Sequence, residues 1–355
     1  LGQYPQVSLA EARGKALEVL ARVARGEDPA SDRARPAVGR PNTFGELAER
    51  YIARHADRSK RSARQDRQML AKDILPHIRN TPLEAIKRAD IAELIEKVVA
   101  RGAPIQANRT FEIVRGLYNW ALGAGLVETT PCLGLKAPSL EQSRERTLSK
   151  DEIKRFWQHL PDAPMAWETA QILRLCLVTG QRVSEVSGAH ESEIDFAERE
   201  WRLPGDRVKN WNAHVVPLSP LAEELFREAI ARHPSSPFAF PSRITKAPII
   251  GQGVAKAMLR SLPASGLEDA TPHDLRRTVA TEMAKLGIPR LVVDKVLNHV
   301  SADRSTIAGV YDRHTYGAEK RQALETWARH LLEIIGDQPA RGPEPWCFST
   351  QSSID

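Results

Sequence analysis

Apolar residues recur at helical spacing through most of this chain, and the interruptions divide it into segments. Leu9, Leu17, Leu20 and Val23, set among Arg and Glu, predict one amphipathic helix over 8–25. The same spacing in 44–52, 69–78, 91–99 and 111–122 predicts an all-helical domain over 43–136. From 148 to 335 the pattern is mixed. Helical stretches dominate there, but 201–203 and 214–218 read as two short strands, with 206–212 as the hairpin loop between them. Ser or Thr followed three residues later by Glu marks three helix starts: Ser8 with Glu11, Thr43 with Glu46, and Ser149 with Glu152. In each, the hydroxyl caps an early N–H and the carboxylate reaches back.

The breaks are equally local. Gly26, Pro29, Pro36, Gly39 and Pro41 make a linker of 26–42, and polar residues make a second one of 137–147. Beyond 336, Pro339, Gly342, Pro343 and Pro345 lead into a Ser-rich end, so 336–355 is expected to be a flexible or docking tail. Ala323, Leu324, Trp327, Leu331 and Leu332 recur at helical spacing, and that face has two possible destinations, its own domain or a neighbouring subunit. The chain starts at Leu1 in mid-pattern, which reads as a piece of a longer protein.

Composition adds bounds rather than identity. A length of 355 residues suits two or three domains, with 41% apolar and 27% charged residues. Lys plus Arg number 51 against 45 Asp plus Glu, a mild excess that permits nucleic acid or an anionic membrane without demanding either. No apolar run approaches the roughly 20 residues of a membrane span, and no secretory segment is visible. Cys132, Cys176 and Cys347 lack metal-ligand spacing, and Cys176 sits in an apolar run as a core residue. The expectation is a protein of a reducing, cytoplasmic compartment, without disulfides, structural zinc or cofactor.

Candidate chemistry lies in five segments of the second half. Arg182 and Glu185 follow Thr179 and Gly180; taken alone they make an ordinary ion pair, but an Arg fork can also grip a phosphate oxygen while Glu orients it. Thr271 and Pro272 start a helix with Asp274 in its first turn, which puts His273 and Arg276 beside a helix N-terminus that favours an anion. Leu275, Val279, Met283 and Leu286 would be the buried stripe. Lys209 lies in the hairpin loop, His299 ends a helix, and Tyr311 follows twelve residues later. By themselves these are a solvated Lys, a C-terminal His and a packed aromatic.

Together the segments Thr-Gly-Gln-Arg-Val-Ser-Glu (179–185), Val-Lys-Asn-Trp-Asn-Ala-His (208–214), His-Asp-Leu-Arg-Arg (273–277), Leu-Asn-His (297–299) and Val-Tyr-Asp-Arg-His (310–314) resemble, in order and context, the tyrosine recombinase family and in particular the integrases of phages and genomic islands. The resemblance covers about 8–335. It implies a mainly α fold with a small β-sheet: an all-helical, SAM-like core-binding domain over 43–136, then an α+β catalytic domain over 148–335. Residues 1–36 resemble the end of an arm-binding domain and its linker, without the strands that precede it in the family.

The implied reaction is cleavage and rejoining of DNA through a 3′-phosphotyrosyl link. Tyr311 is the implied nucleophile; Tyr316 lies past the matching segment. Arg182 and Arg276 would hold the non-bridging oxygens and Lys209 would protonate the leaving 5′ oxygen. His273 and His299 would contact the phosphate. A phenol pKa near 10 would be offset by the surrounding cations. Implied partners are double-stranded DNA, a homotetramer on paired sites, an excisionase and a DNA-bending protein. The Asn-Trp-Asn-Ala stretch after Lys209 departs from the family, which often has more basic residues there.

DNA must also be held. Arg58, Lys60, Arg61, Arg64 and Arg67, with Arg54 and Lys72, read as one basic helical face that tracks phosphates; Gln106, Asn108, Arg109, Arg115 and Asn119 add a second group with reach to base edges. Two rival readings stand beside the recombinase. A DNA-binding regulator would explain the helix–Gly287–helix pattern of 278–299 but not Arg182, Lys209 and Tyr311. A type IB topoisomerase shares the chemistry but not the arm-like remnant.

Overall fold

Why the first half is helical is plain in its caps and its core. The computed structural model describes residues 8–25, 40–141, 144–208, 210–299 and 314–336, and it falls into two units, Leu1–Ser143 and Arg144–Asp355. In the first unit, helix α1 (Leu9–Ala24) starts at Ser8, whose backbone and hydroxyl both bond Glu11. Its apolar residues Leu9, Leu17, Leu20 and Val23 are exposed. Helix α2 (Phe44–Tyr51) is capped by Thr43, which accepts from Glu46 N–H. Here the Glu46 carboxylate accepts from Asn42 rather than from the capping residue, so only half of the expected reciprocal cap forms. Helices α3 (Ala63–Met69), α4 (Arg88–Ala100) and α5 (Pro104–Gly123) complete a core of Phe44, Leu47, Tyr51, Ile74, Ile91, Phe111 and Leu117.

Two wide π-turns, Ile52–Ala56 and Leu70–Ile74, interrupt this unit. The second leads into Pro76, which has no N–H to give and whose ring needs room. The expected single basic helix over 54–72 is therefore not one helix. Lys60 is extended (φ −122°, ψ 126°), which breaks the run between Ser59 and Ala63.

The second unit is built round α7 (Trp167–Thr179), whose residues from Leu175 to Thr179 are all buried. A helix apolar on every side belongs inside. It is preceded by α6 (Lys150–His159), capped reciprocally by Ser149 and Glu152, and followed by the short α8 (Val183–Ser187). Three antiparallel strands come next in the order β1 (Ile194–Asp195), β2 (Glu200–Leu203) and β3 (His214–Pro217). Trp201 lies opposite both Ile194 and Val216, and Leu203 opposite His214. The sequence pattern predicts β2 and β3 but not β1, since two residues are too few to show alternation.

Helices α9 (Pro220–Arg232), α10 (Gly251–Ser265), α11 (Pro272–Lys285) and α12 (Arg290–Val296) follow. Leu275, Val279 and Met283 of α11 are buried as the spacing requires. The last helix, α13 (Gly317–Ile335), packs on its own unit: Ala323, Leu324, Trp327 and Leu331 join the core, and Trp327 Nε1–H donates to Leu177 O at 2.9 Å. Cys132 and Cys176 are buried free thiols. Among the described residues no helix is long and apolar enough to cross a membrane.

Candidate active site

Gly180 turns the chain out of α7 in the left-handed conformation, φ +68°. A Cβ at that position would lie 2.9 Å from Leu297 Cδ2 and 3.1 Å from Val279 Cγ1, so glycine is required for conformation and for space. Two residues on, Arg182 stands at the N-cap of α8. Glu185 is buried and holds it twice: Oε2 accepts from the Arg182 backbone N–H at 3.0 Å, and Oε1 accepts from Nη1 at 2.9 Å. The rest of the Arg182 fork remains partly open to solvent.

Arg276 comes from α11 and is only 3% exposed. Its Nη1 donates to Gly180 O at 2.8 Å and its Nη2 to Leu297 O. Burial, then the Arg182 charge, lowers its pKa to about 10, which still leaves it protonated at neutral pH. Two like charges are thus held within reach of each other by the scaffold. An anion placed between them would relieve that repulsion, which is what a preorganised phosphate or oxyanion site requires.

The start of α11 sets where His273 and Arg276 stand. Asp274 is fully buried. Its Oδ2 accepts from Thr271 N–H and Oγ1 (2.9 and 2.7 Å) and from Arg144 Nε (2.9 Å), and its Oδ1 accepts from Arg277 Nη1 (3.1 Å). Thr271 is thus the N-cap and forms a capping box with Asp274, as expected, and its hydroxyl also bonds the carboxylate. His273, in the first turn, is exposed at this helix start. Partial burial, then the charges of Arg277 and Arg276, lower its pKa.

Helix α12 delivers His299. Its end is held by side chains from elsewhere: Val296 O accepts from Gln181 Nε2 at 2.9 Å and from His214 Nε2 at 3.0 Å. Burial, followed by the Lys320 ammonium, pushes the His214 imidazole down to about 3, so it is a neutral N–H donor. His299 lies within 3.2 Å of Asp294 Oδ1 through Nδ1. A carboxylate accepts, so Nδ1 carries a proton. Partial burial, then the Arg276 charge, lowers the His299 pKa against the pull of Asp294.

Arg182, Glu185, His273, Arg276 and His299 are therefore brought together from α8, α11 and the end of α12. Lys209 and Tyr311 lie outside the described residues. The neighbours of Lys209 are tied in place: Val208 is buried, and Asn210 Nδ2 donates to Asn298 O and Oδ1 at 3.2 and 3.0 Å, one residue before His299. Arg207 of the same loop donates to Glu193 and, at 2.7 Å, to Glu185 O. Sequence reading missed Gln181, His214, Asn210 and Arg207 as supports, because nothing in their local context announces partners so distant in the chain. Tyr316, the rival phenol, sits at the α13 N-cap with φ +53°, its ring 4.6 Å from Lys295 Nζ and 4.6 Å from the His314 ring.

The basic residues expected to hold DNA divide in two. Lys60 is turned inward, with Nζ 2.6 Å from Tyr51 Oη and 2.9 Å from Asp66 Oδ2. Arg67 pairs with Asp57, Arg109 with Glu112 and Glu141, and the Arg115 guanidinium lies 5.4 Å from the Phe111 ring centre. Arg58, Arg61 and Arg64 are exposed. Among the described residues no group of three or more His, Cys, Asp and Glu could hold a metal ion. A cavity of about 510 Å³ in the second unit is lined by Arg232, His233, Arg243 and Lys246, and none of the candidates above borders it.

Comparison with known proteins adds an independent finding. Residues 146–317 match the phage integrase family, 44–137 the phage integrase central domain and 1–36 an arm DNA-binding domain. The chain is similar to prophage integrase IntA of Escherichia coli, 27% identical over 338 residues that cover 92% of this chain and 80% of that protein. It is similar to the integrase of Shigella phage Sf6, 25% identical over 340 residues, 94% of this chain and 86% of the other. Among solved structures it shares the fold of a lambda integrase dimer bound to a COC′ core site (TM-score 0.60, 21% identity, 73% of this chain and 96% of that one). It also shares the fold of a lambda integrase tetramer bound to a Holliday junction (TM-score 0.62, 20% identity, 85% and 89%).

Proposed function

Because this chain belongs to the phage integrase family and is a tyrosine recombinase, we propose that it recombines DNA at specific sites through the cluster around Arg182 and Arg276. Tyr311 attacks the scissile phosphate and forms a 3′-phosphotyrosyl link, releasing a 5′ hydroxyl. Lys209 gives that oxygen its proton. Arg182 and Arg276 hold the non-bridging oxygens, and His273 and His299 bond the phosphate by donating a ring N–H. The link keeps the phosphodiester energy, so a 5′ hydroxyl from another strand can reverse the step on a new partner. A homotetramer on two DNA sites carries this out on chromosomal DNA, with an excisionase and a DNA-bending protein setting direction. The exposed Arg58, Arg61 and Arg64 of the first unit supply phosphate contacts.

One observation carries the reading. Two arginines, one buried on Gly180 O and Leu297 O and one held by Glu185, are fixed close enough that each acts on the charge of His273 and His299. Charges held so close suit an anion whose charge grows in the transition state. The test is covalent trapping on nicked suicide duplexes spanning the ends of the element, with denaturing gels and peptide mapping. The expected adduct is on Tyr311 and disappears in Tyr311→Phe. An adduct on Tyr316 would keep the reaction and move the nucleophile; tight binding without any adduct would remove the cleavage reading.

A further inference from the structure

Lys320 is a lysine only 6% exposed, in the first turn of α13. An ammonium taken out of water is costly unless its partners recover the loss, and an apolar side chain would cover the same surface more cheaply. Its Nζ donates to Val215 O in β3 at 2.7 Å. One residue earlier in that strand, His214 donates to Val296 O. Residues 214 and 215 thus join three segments. One is the hairpin that carries Lys209, another is the end of α12 just before His299, and the third is α13, which begins six positions after Tyr311.

We propose that Lys320 is a positioning residue of the cleavage reaction, tying the helix that follows the nucleophile to the strand that follows the general acid. The inference rests on the roles given to Tyr311 and Lys209 above. Apolar packing alone is non-directional and lets a helix slide along a strand. A buried ammonium aimed at one carbonyl selects one register, the use of buried polar groups for which specificity is best argued. Misplacement of reacting groups by about 1 Å can lower a rate about 10²-fold.

The experiment compares the native chain with Lys320→Met, which keeps the stem and loses the charge, and with Lys320→Arg. Single-turnover cleavage is measured at saturating suicide duplex, with DNA affinity, thermal melting and hydrogen exchange in peptides covering 205–217. For Lys320→Met, cleavage is expected to fall at least about tenfold, with affinity and melting preserved and exchange faster in 205–217. Lys320→Arg should recover most of the rate. Native-rate cleavage with slow exchange in Lys320→Met would overturn the proposal. So would melting well below the native chain, which would assign the lysine to fold stability as a whole. If the native chain forms no Tyr311 adduct, the functional reading falls, and unchanged exchange in 205–217 would still refute the tie.

Discussion

Gly180→Ala should damage both stability and cleavage, and the structure sets the size of each effect. An L-residue held at φ +68° costs about 1–2 kcal/mol. The added Cβ would also sit 2.9 Å from Leu297 Cδ2 and 3.1 Å from Val279 Cγ1. Val279 is β-branched and stiff, so overpacking adds about 1–3 kcal/mol. The total is about 2–5 kcal/mol, or roughly 4–20 °C in the melting of a unit this size at about 2–4 °C per kcal/mol. Because Gly180 O and Leu297 O are the two acceptors for Arg276, moving either should also lower cleavage. Gly287→Ala is the control: φ is +78° with nothing within 4 Å of its Cβ position, so it carries the backbone cost alone. Thermal melting and suicide-substrate cleavage on both variants separate the two causes. If Gly180→Ala melts like Gly287→Ala and cleaves at the native rate, the close packing behind Arg276 is not what holds the site.

Other outcomes follow from the same geometry. Arg182→Lys removes the planar fork and should lower single-turnover cleavage by about 10²–10³, while Glu185→Gln, which keeps the shape, should cost less; equal rates for native and Arg182→Lys chains would remove Arg182 from the phosphate site. The His214 pKa is lowered from 6.5 to about 3, so between those values the unfolded chain binds a proton that the folded one does not. Stability should therefore fall as pH drops through that window, at up to about 1.4 kcal/mol per pH unit, and His214→Gln should flatten the slope in acid denaturation; an unchanged slope would place the titration elsewhere. On DNA, Arg64→Ala should reduce the salt slope of binding by about one. Lys60→Met should leave that slope alone, because its ammonium is committed to Tyr51 and Asp66; an equal loss in both would mean that Lys60 swings out to DNA.

What was legible in the sequence is what depends on neighbours a few residues away. Helical spacing marked the cores of α2, α4, α5 and α11, and the caps at Ser8, Ser149 and Thr271 need only the Glu or Asp three residues on. The pairing of β2 and β3 was readable because alternation survives in four residues. Arg182, His273, Arg276 and His299 were identifiable as candidates through the resemblance of their segments to the tyrosine recombinases. The break at Lys60 was not, since it reflects a bond to Asp66 and the hydroxyl of Tyr51 rather than any Gly or Pro. Nor was the choice made by α13 between its own unit and a neighbour, which burial of Trp327 on Leu177 O decided for this chain.

The functional arrangement belongs to the tertiary structure. The bonds from Arg276 to Gly180, His214 to Val296 and Lys320 to Val215 span 96, 82 and 105 positions. Each end looks ordinary by itself: a basic residue in a helix, a histidine in a strand, a carbonyl at a helix end. Only the path of the chain brings them within 3 Å, and burial then turns a mobile surface charge into a fixed one whose pKa answers to its neighbours. Local chemistry is written in a few adjacent residues. The electrostatics of a site depend on distance in space, and that the sequence specifies only by folding.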